Sequence, residues 1–231
     1  MSLTPARKAR RASAAPPPAR EQRAPVGVFP RTDLVPYIAQ WSGEVRPGPR
    51  VVARRRGAGI GYADEKPYDR DSDSVLWARV PSMPGRGRPE YGQVHALRQR
   101  RAMGELLCQV CGGPADRDGD GVLWLLGEDP ADPASWPSDL LTTHPPLCVP
   151  CAAASVRACP HLRGQYAVLR VRRFALAGVR GVLYAPGRPE PLTVDTVGVA
   201  FDDPRIAWVR AGQLIMRLHD FTLTTLDSAT G

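Results

Sequence analysis

Hydrophobic residues recur at helical spacing most clearly in residues 94–107 (VHALRQRRAMGELL). This segment contains no proline and places Val94, Leu97, Met103 and Leu106 along one face. The 3.6-residue period predicts an amphipathic helix that ends just before a cysteine. A shorter helix is predicted in residues 32–41 (TDLVPYIAQW), where an N-cap threonine precedes a proline in the first turn and apolar residues at helical spacing.

Runs of β-branched and aromatic residues between turn residues predict the strands. Two short runs occupy residues 50–53 and 74–80, ahead of the main helix. After residue 164 the chain predicts three strands, in YAVLRVRRF, GVLYAPG and LTVDTVGVAF, then a helix in IAWVRAGQLIMRLHD and a last strand in FTLTTL. The mixed order of helices and strands predicts an α+β fold of small mixed sheets and helices.

Composition divides the chain into four segments. Residues 1–26 combine arginine, alanine and proline with almost nothing that could be buried, which predicts a disordered basic tail. Residues 27–104 form a basic N-terminal α/β segment, residues 105–164 carry two cysteine pairs, and residues 165–231 form a C-terminal β-rich segment with one helix. We expect no membrane span and no signal peptide, and therefore a cytoplasmic protein.

One short motif occurs twice. Residues 67–77 (PYDRDSDSVLW) and 114–124 (PADRDGDGVLW) share the proline, three aspartates, the arginine and the final Val-Leu-Trp. Each copy predicts an acidic turn that leads into a strand. Two copies are too few for a solenoid, so a duplicated hairpin and a chance similarity both remain open.

The strongest chemical signal is a set of two Cys-x-x-Cys pairs. They consist of Cys108 with Cys111 and Cys148 with Cys151. Such a pair places two thiolates on one side of a tight turn, and two pairs supply the four ligands of a structural zinc site. In a reducing cytosol these thiols would be free to bind metal. We therefore expect structural Zn²⁺, with a redox-active pair or unligated core cysteines as the alternatives.

Three further residues are reserve ligands. His144 lies four residues before Cys148, while Cys159 and His161 follow the second pair. The 36 residues between the pairs hold a DGDG turn, the strand VLWLL and a loop, and the second pair precedes the helix-forming run AAASVRA. The predicted order is a tight turn with the first cysteine pair (the knuckle), a hairpin, and a helix that begins with the second pair. This order resembles the treble-clef arrangement of zinc fingers over residues 108–161.

Two resemblances carry functional implications. Treble-clef modules include the HNH-type nucleases, and in that comparison His144 is the candidate general base, but Ala152 stands where such nucleases commonly have a second histidine. The wider chain resembles a group of actinomycete proteins through RTDLVPYIAQWSGE, GYADEKPYDRD, HALRQRRAM, LCQVCGGPADR, TTHPPLCVPCAAASVRACPHLR and AFDDPRIAWVRAGQL. This second resemblance covers most of residues 31–218 and implies one integrated fold with an embedded zinc module, without an activity to carry over.

The chain has a formal net charge of +8, unevenly distributed. Residues 25–104 carry 14 basic and 8 acidic residues, whereas residues 105–161 carry 2 basic and 8 acidic residues. A nucleic-acid contact is therefore expected in the N-terminal half, if one exists. The candidate contacts are Arg54, Arg55, Arg56, Arg98, Arg100 and Arg101, and the alternative is a solvated basic surface in an arginine-rich chain.

No motif in the sequence nominates a catalytic nucleophile, and no small-molecule substrate is indicated. The sequence thus favours a non-catalytic, intracellular, zinc-stabilised interaction module whose partner is a protein or a nucleic acid. The alternatives are a degenerate HNH-type nuclease and a plain DNA- or RNA-binding protein.

Overall fold

The computed structural model describes residues 34–127, 139–163 and 165–226. Within them the chain forms three β-sheets and two α-helices, which confirms the α+β class. The helices are α1 (Ala96–Glu105) and α2 (Val149–Ala158). The strands are β1 (Ala39–Trp41), β2 (Val51–Ala53), β3 (Ile60–Tyr62), β4 (Leu76–Trp77), β5 (Pro89–Val94), β6 (Arg117–Asp118), β7 (Gly121–Leu126), β8 (Asp139–Thr142), β9 (Ala167–Ala185), β10 (Leu192–Ala200) and β11 (Val209–Thr224).

The main sheet has seven strands and is built around β9 and β11. These two long strands pair antiparallel from Val168 with Thr224 to Leu183 with Val209. The free edge of β9 pairs with β7 at one end and with β10 at the other, while that of β11 pairs with β4 and β8. All three C-terminal strands, all three strands of the cysteine segment (β6, β7 and β8) and β4 thus belong to one sheet. The remaining sheets are the pairs β1–β5 and β2–β3.

The C-terminal helix expected in IAWVRAGQLIMRLHD is wrong. Except for a 3-10 turn at Pro204–Trp208, this region belongs to β11, which also contains residues 221–224 of the expected last strand. Leu214, Met216 and Leu218 alternate with less buried neighbours, the two-residue period of a strand. In addition, YAVLRVRRF and GVLYAPG form one continuous strand, β9, instead of two.

The opening helix is also wrong over the residues that the structure describes. Strand β1 and a 3-10 turn at Ser42–Glu44 replace it. The backbone N–H groups of Tyr37 and Ile38 donate to the carbonyls of Val110 and Gln109, and β1 pairs with β5. These long-range hydrogen bonds override a weak local helical pattern that contains Pro36.

Strand β7 is buried on both faces, as its uninterrupted apolar run (VLWLL) allows. Val122, Trp124 and Leu126 join the larger core, which also contains Met103 of α1. Leu123 and Leu125 point to the opposite side, where they join a second core with Cys108, Leu147, Cys151 and Ala152. The cysteine segment therefore covers the second face of the sheet.

Helix α1 confirms the main helix prediction, although its buried face is partly polar. Met103 is fully buried, but Leu97 is 50% exposed, and Arg98 and Gln99 point inward instead. The Gln99 amide donates to the carbonyls of Thr143 and Leu214 and accepts from the Leu214 N–H. This side chain ties α1 to β11 and to the segment before Cys148.

A buried ion pair joins α1 to the N-terminal segment. The Arg98 guanidinium donates to both carboxylate oxygens of Glu44 at 2.7 Å and to the Ala39 carbonyl. The backbone N–H groups of Trp41 and Met83 also donate to Glu44. Burial opposes ionisation, but these hydrogen bonds prevail and lower the pKa of Glu44 to about 2.

The repeated motif adopts the same turn in both copies. Asp71 accepts backbone N–H groups from Asp73 and Val75, and Asp118 accepts them from Asp120 and Gly121. Equivalent positions in the two copies, Ser74 and Gly121, have positive φ angles of 63° and 122°. Each turn leads into a strand of the main sheet, as expected. A Cβ atom at Gly121 would lie 2.3 Å from the Val171 carbonyl oxygen, so this copy requires glycine.

The buried ion pair predicts a large stability loss in Arg98→Ala. This change leaves the Glu44 carboxylate buried without its cation, and we expect a loss of about 3–5 kcal/mol in the free energy of unfolding. The control is Arg101→Ala on the same helix, where the ion pair with Glu105 is exposed and screened by solvent, so we expect little or no loss of stability. Urea denaturation compares the two, and equal losses would contradict the structure.

Glu44 also predicts a specific acid sensitivity. Its folded-state pKa lies below the ordinary value of 4.5, so its ionisation stabilises the fold above about pH 5 and this contribution is lost as the pH falls towards 2. The difference in unfolding free energy between wild type and Glu44→Gln should shrink between pH 7 and pH 3. Glu105→Gln, which removes an exposed carboxylate, serves as the control. A wild-type advantage that stays constant over this range would refute the assignment.

Candidate metal centre

The first cysteine pair lies in a tight turn directly after α1. The helix ends at Leu106, whose left-handed conformation turns the chain towards Cys108. The Cys108 N–H donates to the Gly113 carbonyl, and the Gly112 N–H donates to the Cys108 carbonyl. Gly112 has a φ angle of +71°, which favours glycine, and a Cβ atom there would crowd the Tyr37 ring at 3.0 Å. These contacts fix the turn that presents Cys108 and Cys111.

The second pair lies at the start of α2. Cys148 is the N-cap, Pro150 occupies the first turn, and Cys151 follows within that turn. Proline suits this position because its missing N–H would have no helical partner there. The positive end of the helix dipole favours thiolates at both cysteines. The expected location of this pair at a helix start is confirmed.

Backbone hydrogen bonds hold the two pairs together. The Gln109 N–H, from the first turn, donates to the carbonyl of Pro146, just before the second pair. Leu147 donates to the carbonyl of Leu123 in β7 and accepts from the N–H of Asp116. These hydrogen bonds place the end of the 36-residue spacer beside both the first cysteine turn and strand β7.

The four sulfur atoms converge on one point. The Sγ atoms of Cys108, Cys111, Cys148 and Cys151 all lie within 4.8 Å of one another. Cys111 Sγ and Cys148 Sγ are 3.9 Å apart. A tetrahedral ion with Zn–S bonds of about 2.3 Å requires sulfur atoms roughly 3.8 Å apart, so the spacing fits a zinc tetrathiolate. Cys108 and Cys151 are buried, whereas Cys111 is exposed, so the site opens to solvent on one side.

Electrostatics at the cluster favour a bound cation. The thiols of Cys148 and Cys151 hydrogen-bond to Cys108 and lower its pKa. The hydrogen bonds that Cys148 and Cys151 donate to Cys108 raise their own pKa values, and burial and repulsion from the Cys108 thiolate act in the same direction. A divalent cation removes this conflict, since it allows all four sulfur atoms to be thiolates at once.

The reserve ligands do not join the cluster. Among the described residues, the four cysteines are the one group of at least three histidine, cysteine or acidic side chains placed to hold a metal ion. The backbone of His144 receives a hydrogen bond from the Trp124 indole and donates to the Thr142 hydroxyl. Cys159 ends α2, and exposed His161 lies in the following 3-10 turn.

The candidate nucleic-acid contacts separate into different environments. Arg98 is buried in an ion pair with Glu44, so it is not accessible to a nucleic acid. Arg100 stacks on the Trp77 ring, 4.6 Å from its centroid, and Arg101 pairs with Glu105. Arg54 and Arg55 are exposed beside β2, whereas the side chain of Arg56 lies outside the description. Among the candidates whose side chains are described, burial thus argues against a nucleic-acid contact only for Arg98.

The acidic turns are neutralised from within the fold. Arg170 of β9 forms ion pairs with Asp116 and Asp118, and Arg172 pairs with Asp120. The negative charge of the cysteine segment is thus partly compensated by the neighbouring strand. Sequence reasoning missed this, because charge counted by segment ignores pairing across a sheet.

A cleft elsewhere contains arginines that sequence reasoning also missed. It has a volume of about 690 Å³ and lies between the RPGPR segment, residues 63–64 and residues 79–81. Arg46, Arg50 and Arg79 contribute to its lining. The alternation of arginine with proline and glycine in RPGPR is the sequence signal that could have drawn attention to it.

Comparisons with protein-family models, curated proteins and solved structures find no match to this chain. The assignment of the site therefore depends on its own geometry. No helix in the described residues is both long and apolar enough to cross a membrane.

The sulfur geometry predicts one bound zinc ion per chain. Cys111→Ser should lower the metal content of the purified protein, because a neutral hydroxyl is a poor replacement for a thiolate ligand. Cys159→Ser should retain about one zinc, since Cys159 lies outside the cluster. Elemental analysis measures both, and Co²⁺ substitution reports tetrahedral sulfur coordination by visible absorption. Zinc-free wild type, or equal metal loss in both variants, would contradict the four-cysteine site.

Proposed function

We propose that this protein is a non-catalytic, zinc-stabilised interaction module that acts inside the cell. The observation that carries the proposal is the convergence of four cysteine sulfur atoms from two distant turns. Four sulfur ligands complete the coordination of zinc and leave no open position for water or substrate, which is typical of structural sites. A reducing compartment suits the role, because it keeps the thiols available for the metal.

The local architecture supports a treble-clef-like module. A turn holds the first pair, the hairpin β6–β7 follows it, and α2 opens with the second pair. The antiparallel bridge between Leu107 and Pro114 closes the knuckle around Cys108 and Cys111. This is the order of elements expected for a treble clef, with β7 also contributing to the main sheet.

Zinc would stabilise a large part of the fold in this role. Cys108 and Cys151 are members of the core that covers the second face of β7. Structural zinc in small modules contributes on the order of 10 kcal/mol of apparent binding free energy. Metal binding would therefore hold the knuckle, the hairpin and α2 against the sheet, and leave the outer surfaces for a partner.

The nuclease alternative receives less support. Ala152, where HNH-type nucleases commonly have a metal-binding histidine, is fully buried in the second core. His144 lies near the module but belongs to no described group that could hold a metal ion. The four-cysteine site itself offers sulfur coordination, whereas a catalytic magnesium ion prefers oxygen ligands.

Chelation tests the structural role of the metal. A strong zinc chelator should lower the thermal midpoint of unfolding, and added Zn²⁺ should restore it. Amide hydrogen exchange should show loss of protection in α2 and β7 with less change in β5, because only the former lie at the zinc core. Cys159→Ser is expected to respond like wild type. An unchanged midpoint in protein shown to be metal-free would refute a structural role for zinc.

A plasmid assay tests the non-catalytic part of the proposal. Zinc-loaded protein incubated with supercoiled DNA and Mg²⁺ or Mn²⁺ should nick no faster than His144→Ala. Divalent-metal-dependent nicking that disappears in His144→Ala would instead establish the nuclease alternative.

A further inference from the structure

We infer that the arginine-lined cleft beside the RPGPR segment binds the phosphate and base of a nucleic-acid single strand. The inference rests on the interaction role proposed above and names the partner. The cleft of about 690 Å³ opens widely to solvent, is separate from the cysteine site, and is lined by residues 46–50, 63–64 and 79–81. Guanidinium groups bind phosphate oxygens through paired N–H donors, which makes arginine the usual residue for phosphate recognition.

The arginines differ in how far they are already neutralised. Arg79 is held by Asp69 and Asp64, and so it mainly shapes the floor of the cleft. Arg50 pairs with Glu190 through Nε, but both side chains are about half exposed, so this pair is weak and leaves the terminal nitrogens free to donate. Exposed Arg46 has no carboxylate partner within the described residues. Arg46 and Arg50 are therefore the groups available to an incoming phosphate.

A fourth guanidinium lies under the RPGPR segment. Arg210 of β11 is positioned over the Tyr184 ring, 5.9 Å from its centroid. The guanidinium lies close to the backbone of Gly48, because a Cβ atom added at Gly48 would be only 3.2 Å from Arg210 Nη1. Three arginines line the cleft, and Arg210 lies beside its RPGPR wall without lining it. The carboxylates of Asp64 and Asp69 are both bound to Arg79, and Glu190 engages only Nε of Arg50, so Arg46 and the terminal nitrogens of Arg50 carry the positive charge that is free on the RPGPR side.

The walls of the cleft favour a nucleotide over a bare anion. Pro47, Pro49, Pro81 and Val80 are apolar and, in the case of the prolines, conformationally fixed. Flat apolar surfaces next to guanidinium groups suit a nucleobase attached to its phosphate, because arginine planes can also stack on bases. In a duplex the faces of the bases are already stacked, so the cleft fits a single strand.

The arginines beyond the cleft favour a polymer over a free nucleotide. Strand β2 leads from Arg50 to exposed Arg54 and Arg55. A strand advances by about 3.3 Å per residue, which puts Arg54 roughly 13 Å from Arg50. A single nucleotide in the cleft does not span that distance, whereas the next phosphates of a strand do. Arg54 and Arg55 were sequence candidates, and the cleft supplies the binding pocket that they lacked.

Fluorescence anisotropy with labelled single-stranded DNA and RNA oligonucleotides tests the inference on the full chain. Removal of Arg46 and Arg50 together (R46A/R50A) should weaken binding at least tenfold and reduce the salt slope of log K by about 1.4, which is about 0.7 for each lost phosphate contact with a single strand. The matched control is R180A/R217A, which removes two exposed arginines of the main sheet and should change affinity less than twofold. R54A/R55A should weaken oligonucleotide binding severalfold.

Thymidine monophosphate and uridine monophosphate test whether the ligand is a polymer. They should bind far more weakly than the oligonucleotides and should be insensitive to R54A/R55A. Mononucleotide binding as tight as oligonucleotide binding would overturn the assignment to a strand. Equal affinities for R46A/R50A and R180A/R217A, or no oligonucleotide binding by the wild type, would overturn the cleft itself.

Zinc content and thermal midpoint separate this inference from the proposal on which it rests. Both should be unchanged in R46A/R50A, because the cleft contains none of the cysteines. Failure of oligonucleotide binding in zinc-loaded, folded wild type would remove the cleft inference alone. If the proposed structural zinc site is wrong, purified wild-type protein will contain no zinc, whatever its affinity for oligonucleotides.

Discussion

The fold depends on covering both faces of β7 at once. Its alternate side chains enter two separate cores, and the second core is short of apolar material because it is built from a turn, a loop and a two-and-a-half-turn helix. Burial alone holds such small elements weakly, since each fully buried aliphatic side chain contributes only about 1.5–3 kcal/mol. Four thiolates around one cation would add a directional constraint at the point where the turn and the helix meet. The four-cysteine cluster is therefore best understood as part of the hydrophobic core, since Cys108 and Cys151 are members of it.

Arginine has two different roles in this chain. Arg98 and Arg170 are buried and serve as internal cross-links, with Glu44 and with the acidic turn respectively. Their long side chains allow one residue to bridge elements that do not touch through their backbones. The exposed arginines of residues 46–55 face solvent, and the one ion pair described among them, Arg50 with Glu190, is itself exposed. Net charge does not distinguish these roles, so the location of each guanidinium matters more than the total of +8.

The sequence allowed local features to be predicted much better than long-range ones. The cysteine pairs, α1, the acidic turns and the helix start at Cys148 follow from short patterns, because turn and cap chemistry acts within a few residues. The helix expected over β11 failed because its apolar residues fit both periods, and pairing with β9 decided between them. The opening helix prediction failed for a similar reason, because residues 37–38 hydrogen-bond to residues 109–110.

Arg98 was assigned to the surface because a helical pattern does not reveal a buried carboxylate contributed from 54 positions earlier in the sequence. The arginine motif RPGPR is visible in the sequence, but the cleft beside it is not, because its walls come from three separate stretches of chain.

The order of the strands has a consequence for synthesis on the ribosome. Strand β11 is the last of the described strands, yet it lies inside the main sheet, between β9 on one side and β4 and β8 on the other. Until its residues emerge, three earlier strands lack their hydrogen-bonding neighbour on that edge. Exposed strand edges invite pairing with other chains. The nascent polypeptide thus passes through a stage in which all four cysteines have emerged while the sheet beneath them is still incomplete. Chaperone protection would be most valuable in that interval.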